Sequence, residues 1–355
     1  MNDKTKVWTR RQTLCLMTGL SSSLALHACT KQSQDFTLSN SKNRITDAAV
    51  QVKAVSATSG STLWIGCAPL YIALEKGFFQ AAGLKLEHKD FSSSPDSQAA
   101  FGAGRLDVLS VVTSEAVLLK SRNIDYRIIL AADNSVGGDG ILARNSIADI
   151  KDFKSKQIAV EIGSVSHFFL LQVLKDVGLS ENDIKITNAT PDAAATAYQA
   201  GRTDIAVTYS PFLQKANAAQ KDGRIIFNTS KMPTAIVDVY LLSTKFIEAN
   251  PEATKGFVKG IFRAMEFMKT NRQEALEIAG KRLQLTPQEV EEQLKGVRLI
   301  DLPTNLKMLS DPQSDIYLLN HMNEISEFLL EQKQISQLPD IAKILEPKFL
   351  KEVEA

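Results

Sequence analysis

The chain is short of cysteine, of net charge and of long apolar runs, and each shortage excludes a class of protein. It contains three cysteines, Cys15, Cys29 and Cys67, in 355 residues. That is too few for a disulfide framework or a multi-cysteine metal site. The formal charge is +1, from 41 Lys and Arg against 40 Asp and Glu, which gives no reason to expect nucleic acid or an anionic membrane surface as a partner. The mostly apolar run 14–28 has 15 residues, fewer than the roughly 20 that cross a bilayer. No Ser-His-Asp order, His-rich metal spacing or phosphate-cradling glycine loop is legible. No catalytic residue, metal site or cofactor is therefore expected. What is present is 44% hydrophobic and 23% charged, as in a globular chain, and long enough for two core-bearing lobes.

The N-terminus reads as an address. Lys4, Lys6, Arg10 and Arg11 precede the apolar run 14–28, which ends at Cys29, the layout of an export signal. Thr9-Arg10-Arg11-Gln12-Thr13-Leu14 resembles a twin-arginine signal, and Leu26-His27-Ala28-Cys29 resembles a bacterial lipobox, in which the cysteine is acylated. An ordinary secreted protein with an incidental Cys29 is the alternative. Residues 30–50, rich in Ser, Asn, Gln and Lys, have the composition of a flexible tether. The expected division is 1–28 signal, 29–50 tether, then an extracytoplasmic body held to a bacterial membrane by lipid.

In the body, short apolar runs alternate with segments of helical period, the pattern of parallel sheets. Strands are predicted at 50–54, 84–88, 108–112 and 127–132, with a loop over 56–66 and helices at 68–80, 97–104 and 114–122. A second set follows: strands 157–161, 184–188, 205–208 and 224–228, with helices 167–177, 191–200 and 211–220. Short strands at 141–144 and 236–243 are expected to cross between lobes. From Lys245 the pattern is helical, over 251–270, 271–283, 287–295, 313–332 and 337–346. One lobe is then 51–139 plus 237–355, with C-terminal helices, and the other is 140–236.

Four ordered stretches add a resemblance. Ala68-Pro69-Leu70-Tyr71-Ile72-Ala73-Leu74-Glu75-Lys76-Gly77-Phe78-Phe79 and Gly201-Arg202-Thr203-Asp204-Ile205-Ala206-Val207-Thr208-Tyr209-Ser210-Pro211-Phe212 are similar to signatures of the nitrate/sulfonate/taurine-type solute-binding proteins of ABC importers. Asp139-Gly140-Ile141 and Gly163-Ser164-Val165-Ser166-His167-Phe168 match two more. Ser210 stands where that family usually has Glu. The resemblance implies a type II periplasmic-binding-protein fold: two α/β lobes joined by two crossing strands and closing on a solute. It also implies a membrane permease and an ATPase as partners. A thiamine-precursor synthase shares distant resemblance, but the leader and the lone body cysteine count against it. A sensor that presents its liganded form to a receptor is not separable from a transporter by sequence.

In such a fold, ligands sit beyond the carboxyl ends of the strands. The loops placed there are 58–71, 110–116, 133–140, 161–168, 208–213 and 233–240. They contain Glu115, Asp133, Asp139, Glu161 and Asp238, and no Lys or Arg. A closed crevice must match its ligand's charge or keep its own acids paired or protonated. The expected ligand is therefore cationic or amine-bearing: guanidinium-like, or a zwitterion. Glu115, Asp139, Glu161 and Asp238 are the candidate acids, and Asp133 reads as a turn residue. Each has a structural alternative: a turn cap for Asp139, a helix-dipole charge for Glu115, a backbone pairing for Glu161, a hinge hydrogen bond for Asp238.

Ser164, Ser166 and His167 pull the other way. They precede or open a helix whose N–H groups suit an oxyanion, unless Ser166 simply caps it. With both features in use, the ligand is an aminosulfonate such as taurine; with the acids alone, it is a small cation. Trp64 and Tyr209 are candidate aromatic walls, since ring faces attract cations. Tyr71, Tyr240 and Phe168 are further possibilities, with core packing the alternative for Phe168.

Overall fold

The computed structural model describes residues 54–354, so the signal, the tether and Cys29 lie outside the described residues. In chain order the strands are β1 (Val55–Thr62), β2 (Leu84–Phe91), β3 (Val108–Val112), β4 (Tyr126–Ser135), β5 (Asp139–Ala143), β6 (Gln157–Val160), β7 (Lys185–Asn188), β8 (Ile205–Tyr209), β9 (Arg224–Asn228), β10 (Val237–Ser243) and β11 (Val297–Leu299). The helices are α1 (Ala68–Glu75), α2 (Phe78–Ala81), α3 (Ser94–Gly102), α4 (Thr113–Ser121), α5 (Val165–Asp176), α6 (Pro191–Gln199), α7 (Phe212–Ala219), α8 (Thr244–Ala249), α9 (Pro251–Thr270), α10 (Arg272–Leu283), α11 (Pro287–Leu294), α12 (Leu302–Ser310), α13 (Leu318–Glu331) and α14 (Lys348–Glu354).

These strands form two mixed sheets. The first runs β11-β4-β10-β3-β1-β2 and the second β7-β6-β8-β5-β9. The parallel pairs β1–β2, β1–β3, β6–β7 and β6–β8 come from the βαβ rhythm. Central β3 and β8 are buried at every position, and their sequences are mostly apolar, broken only by Ser110 in β3 and by Thr208 and the Tyr209 hydroxyl in β8. The chain leaves the first sheet at Ser135 and enters the second at Asp139, returning between Asn228 and Val237. The outward link is thus only 136–138, whereas the return is 229–236. Both segments expected as crossing strands are integral to sheets: β5 lies between β8 and β9, and β10 between β4 and β3.

The short link is tightly fastened. Gly137 has φ 139°, the left-handed region that favours glycine. Val136 N–H and Gly138 N–H both donate to Gly296 O, at 2.8 and 3.0 Å, and Ser210 N–H donates to Gly138 O at 2.9 Å. A Cβ on Gly138 would stand 2.4 Å from the Trp64 ring. Ser210, the departure from the family pattern, also donates its Oγ to Gly138 O at 3.1 Å.

Several local expectations are corrected. The strand expected at 50–54 lies, but for Ala54, outside the described residues; the segment 56–66 expected as a loop instead gives β1, Val55–Thr62, whose small polar residues pair with β2 along its whole length. The helix expected over 68–80 breaks at Gly77, whose φ is 66°. Residues 313–332 are helical only over Leu318–Glu331, and 337–346 contains no helix. In the latter, Ile128 N–H donates to Ile344 O and Glu346 N–H to Ile128 O, at 2.8 and 2.9 Å. The edge of β4 has taken that backbone, and Pro339 and Pro347 flank it.

Strand β11 and helix α12 were not legible. The second is fixed by Asn305, which is fully buried and reads β4 as a base pair would. Its Oδ1 accepts from Ala131 N–H at 2.7 Å, and its Nδ2 donates to Ala131 O at 2.9 Å. Asn305→Ala orphans both backbone groups. It is expected to cost about 2–3 kcal/mol, measured by denaturant unfolding.

Candidate ligand-binding site

Both sheets contribute loops to one cavity of about 30 Å³. From the first sheet come Ser61 and Thr62 ending β1, Trp64 and Cys67 before α1, Ser94 opening α3, Ser110–Val112 ending β3, Glu115 in α4, and Ile236 and Asp238 at β10. The second sheet gives Asp139 starting β5, Val165 starting α5 and Tyr209 ending β8. No Lys or Arg lines it. Of the residues named from sequence, Trp64, Glu115, Asp139, Tyr209 and Asp238 meet here. Glu161, Ser164, Ser166 and His167 do not line it. Ser61, Thr62 and Ser110 lie in loops the sequence had placed at the crevice, and Ser94 was missed. Its position after a strand's carboxyl end, at the β2–α3 turn, was the available signal.

The carboxyl groups are buried, and two of them stand at facing positions of a strand pair. Asp238 lies directly across from Asp133 in the β10–β4 register, and their carboxyls share a hydrogen bond. Two like charges so placed cannot both persist without cost, so the pair holds a proton. Burial pushes Asp133 up to about 7, opposed by Trp64 N–H and reinforced by the Asp139 charge. Burial raises Asp238 well above the carboxylate range, with Asp133, Asp139 and Glu115 adding to it. Asp139 is pushed up to about 7 by burial, against a hydrogen bond from Ser135. Asp133, read from sequence as a turn residue, is thus a fully buried member of the cluster.

Glu115 is pushed up to about 7 by burial, despite three donors. Ser94 Oγ donates to its Oε1 at 2.6 Å, Val165 N–H to the same oxygen at 3.0 Å, and Val112 N–H to Oε2 at 3.3 Å. The bond to Val165 reaches from the first sheet's α4 to the second sheet's α5. Glu161, on the second sheet's side, reaches back: Ser94 N–H donates to its Oε2 at 3.3 Å. Gln98 Nε2 adds a bond to Gly163 O at 3.3 Å. Glu161 therefore pairs with a backbone amide, its bland reading.

Ser164, not Ser166, caps α5; its Oγ accepts from Ser166 N–H at 3.2 Å and donates to Glu161 O at 2.7 Å. Ser166 Oγ is buried with no partner. His167 turns away, its Nε2 3.6 Å from Glu181 Oε1. Burial lowers its pKa, against the Glu181 charge.

Trp64 is held by hydrogen bonds from its Nε1 to Asp133, at 3.2 and 3.4 Å, and meets Tyr209 edge-on at 5.8 Å. It is buried. Phe168 packs against Phe328, as core. Cys67 is buried and its thiol pushed up by that burial, with Asp238 and Asp133 adding. The structure does assemble a Ser-His-Asp string that linear order hid. Ser59 Oγ lies 2.9 Å from His88 Nδ1, and Asp90 Oδ1 lies 3.3 Å from His88 Nε2. Asp90 is in turn held by Arg282 at 2.6 Å. Ser59 is buried and outside the cavity lining, whereas Ser61, whose Oγ lies 3.3 Å from His88 Nε2, lines the cavity.

Residues 51–283 match the NMT1-like family. The chain belongs to the NMT1-like family. This NMT1-like protein is 29% identical over 289 residues to a putative aliphatic sulfonates-binding protein of Bacillus subtilis, covering 80% of this chain and 84% of that one. It is 26% identical over 194 residues to the taurine-binding periplasmic protein of Escherichia coli, covering 53% and 59%. In fold it is similar to the alkanesulfonate-binding protein SsuA from Xanthomonas axonopodis pv. citri bound to MOPS, with a TM-score of 0.68 and 18% identity over 83% of this chain and 99% of that one. The NMT1-like protein thus has the periplasmic-binding-protein fold, with a helical C-terminal segment.

Proposed function

We propose that this chain is the extracytoplasmic solute-binding component of an ABC importer, anchored through an acylated Cys29, and that its solute is a small cationic or amine-bearing compound. The relatives' names support the solute-binding role, and the lipobox-like Leu26-His27-Ala28-Cys29 supports the anchor. The observation that carries the second is the composition of the cavity wall: Glu115, Asp139 and Asp238 line it, with no Lys or Arg among its residues. A guanidinium or amine entering there exchanges its charge for the protons these acids hold. Burying a solute whose only charge is negative beside them is costly. Closure then follows from contacts with both sheets, Glu115 and Asp238 on one and Asp139 and Tyr209 on the other. Delivery to a permease driven by an ATPase completes the cycle.

An anionic solute is the second reading, favoured by the sulfonates in the relatives' names. Taurine, a zwitterion, lies between the two. The oxyanion side of that idea has less support, since Ser164 caps α5 and His167 faces Glu181. A thermal-shift screen of guanidine, taurine, alkanesulfonates, nitrate, bicarbonate and thiamine precursors tests the readings together. Guanidine is expected to raise the melting temperature, by the ordinary linkage between ligand occupancy and stability. Stabilisation by nitrate or a simple sulfonate alone would overturn the cationic reading and leave the importer reading in place.

A further inference from the structure

We infer that Glu115 is the specificity-determining residue of this cavity: its carboxylate is a built-in occupant of the α5 N-terminus, and it shuts oxyanions out of a place otherwise suited to them. The inference rests on the proposed solute cavity being the binding site. Helix α5 is 12 residues long, enough for its first N–H groups to attract an anion, and Val165, its first residue, lines the cavity. The N–H that an incoming sulfonate would need is already used, donating to Glu115 Oε1 at 3.0 Å. That oxygen is held in place by Ser94 Oγ at 2.6 Å, while the other accepts from Val112 N–H.

A second observation marks the same turn as built for polar company. Ser166 Oγ is buried, 1% exposed, and has no hydrogen-bond partner. Buried hydroxyls are normally satisfied, so the first turn of α5 has more donor capacity than Glu115 uses. A carboxylate in residence also repels a second anion at contact distance. One side chain therefore does two things, adding negative charge to the wall and occupying the first N–H of α5; α3, the other described helix whose first residue lines the cavity, has its Ser94 N–H taken by Glu161.

The test is Glu115→Ser, with guanidinium, methanesulfonate and taurine as probes, titrated calorimetrically into wild type and variant. The variant is expected to gain at least tenfold in methanesulfonate affinity and to lose guanidinium affinity, with taurine improving less than methanesulfonate. Glu115→Gln, whose amide oxygen still accepts from Val165, is expected to lose guanidinium without gaining methanesulfonate. Loss of guanidinium with no gain of methanesulfonate in a cooperatively folding Glu115→Ser protein overturns the inference and leaves the cationic reading standing. A gain of methanesulfonate where guanidinium never bound the wild type does the reverse. Should Glu115→Ser fail to fold, the wild-type Val165 amide resonance decides. It is expected to stay fixed in millimolar methanesulfonate, and a saturable shift overturns the inference.

Discussion

Guanidinium affinity is expected to rise by about tenfold per pH unit between pH 5.5 and 7 for each proton displaced, and to level off above about pH 7.5. The direction follows from the acids of the wall. Burial pushes Glu115 and Asp139 up to about 7, and Asp133 behind them likewise. Below that value the free cavity holds protons, and a cation must displace at least one to find a negative partner. Above it Glu115 and Asp139 are already ionised and give up no proton, and only the one held between Asp133 and Asp238 remains. Titration calorimetry at pH 6.5 in two buffers of different ionisation enthalpy reads the proton count directly. A pH-independent affinity with no proton release would sink the claim that these carboxyls meet the ligand's charge.

The ligand-free protein should respond in the opposite sense. A carboxyl whose folded value lies above its unfolded one contributes stability that is present at low pH and lost as pH rises. For Glu115, Asp139 and Asp133 the loss runs from the ordinary carboxylate range, near 4, up through about 7. The melting temperature without ligand is thus expected to fall between pH 5 and pH 8, and saturating guanidinium should flatten the fall.

Asp238→Asn is expected to weaken guanidinium binding tenfold or more, about 1.4 kcal/mol, while raising the stability of the ligand-free protein at pH 8 by about 1 kcal/mol. The two signs have one cause. Asp238 faces Asp133 across the β10–β4 pair, and burial with that neighbouring charge holds its proton on. An amide keeps the shape and, like the protonated acid, can donate to Asp133 without the cost of holding a proton at pH 8, but it cannot ionise to meet a ligand's charge. A structural hydrogen bond at this position, the hinge reading, would instead give loss of stability with affinity unchanged. Glu161→Gln is the comparison. Glu161 touches Ser94 N–H rather than the cavity, so its effect on affinity should be the smaller and should pass through closure.

Much of this was legible in the order of residues because parallel sheets write themselves plainly. Val108–Val112 and Ile205–Tyr209 could hardly be anything but buried strands, and their carboxyl ends delivered Glu115, in the helix that follows β3, and Tyr209, the last residue of β8. The absence of Lys and Arg from the crevice loops survived into the cavity wall. What failed did so for lack of local signal. Strand β1 is built of Ser, Thr, Ala and Gly between Val55 and Thr62, residues that a turn would also use, and only β2 alongside makes it a strand. The stretch 337–346 has the apolar spacing of a helix but is captured by Ile128. Side-chain direction was the other gap. Nothing in Gly163–His167 tells that His167 turns toward Glu181, or that the helix start it announces would be filled by a glutamate 50 residues upstream.

The two links between the sheets are unequal, and this governs how the molecule can move. With 136–138 pinned to Gly296 and to Ser210, the closure proposed above would swing the halves like a door on one fixed post. The longer return, 229–236, supplies the slack. Lengthening that return by a residue or two should change how wide the door opens; lengthening the post should unhang it.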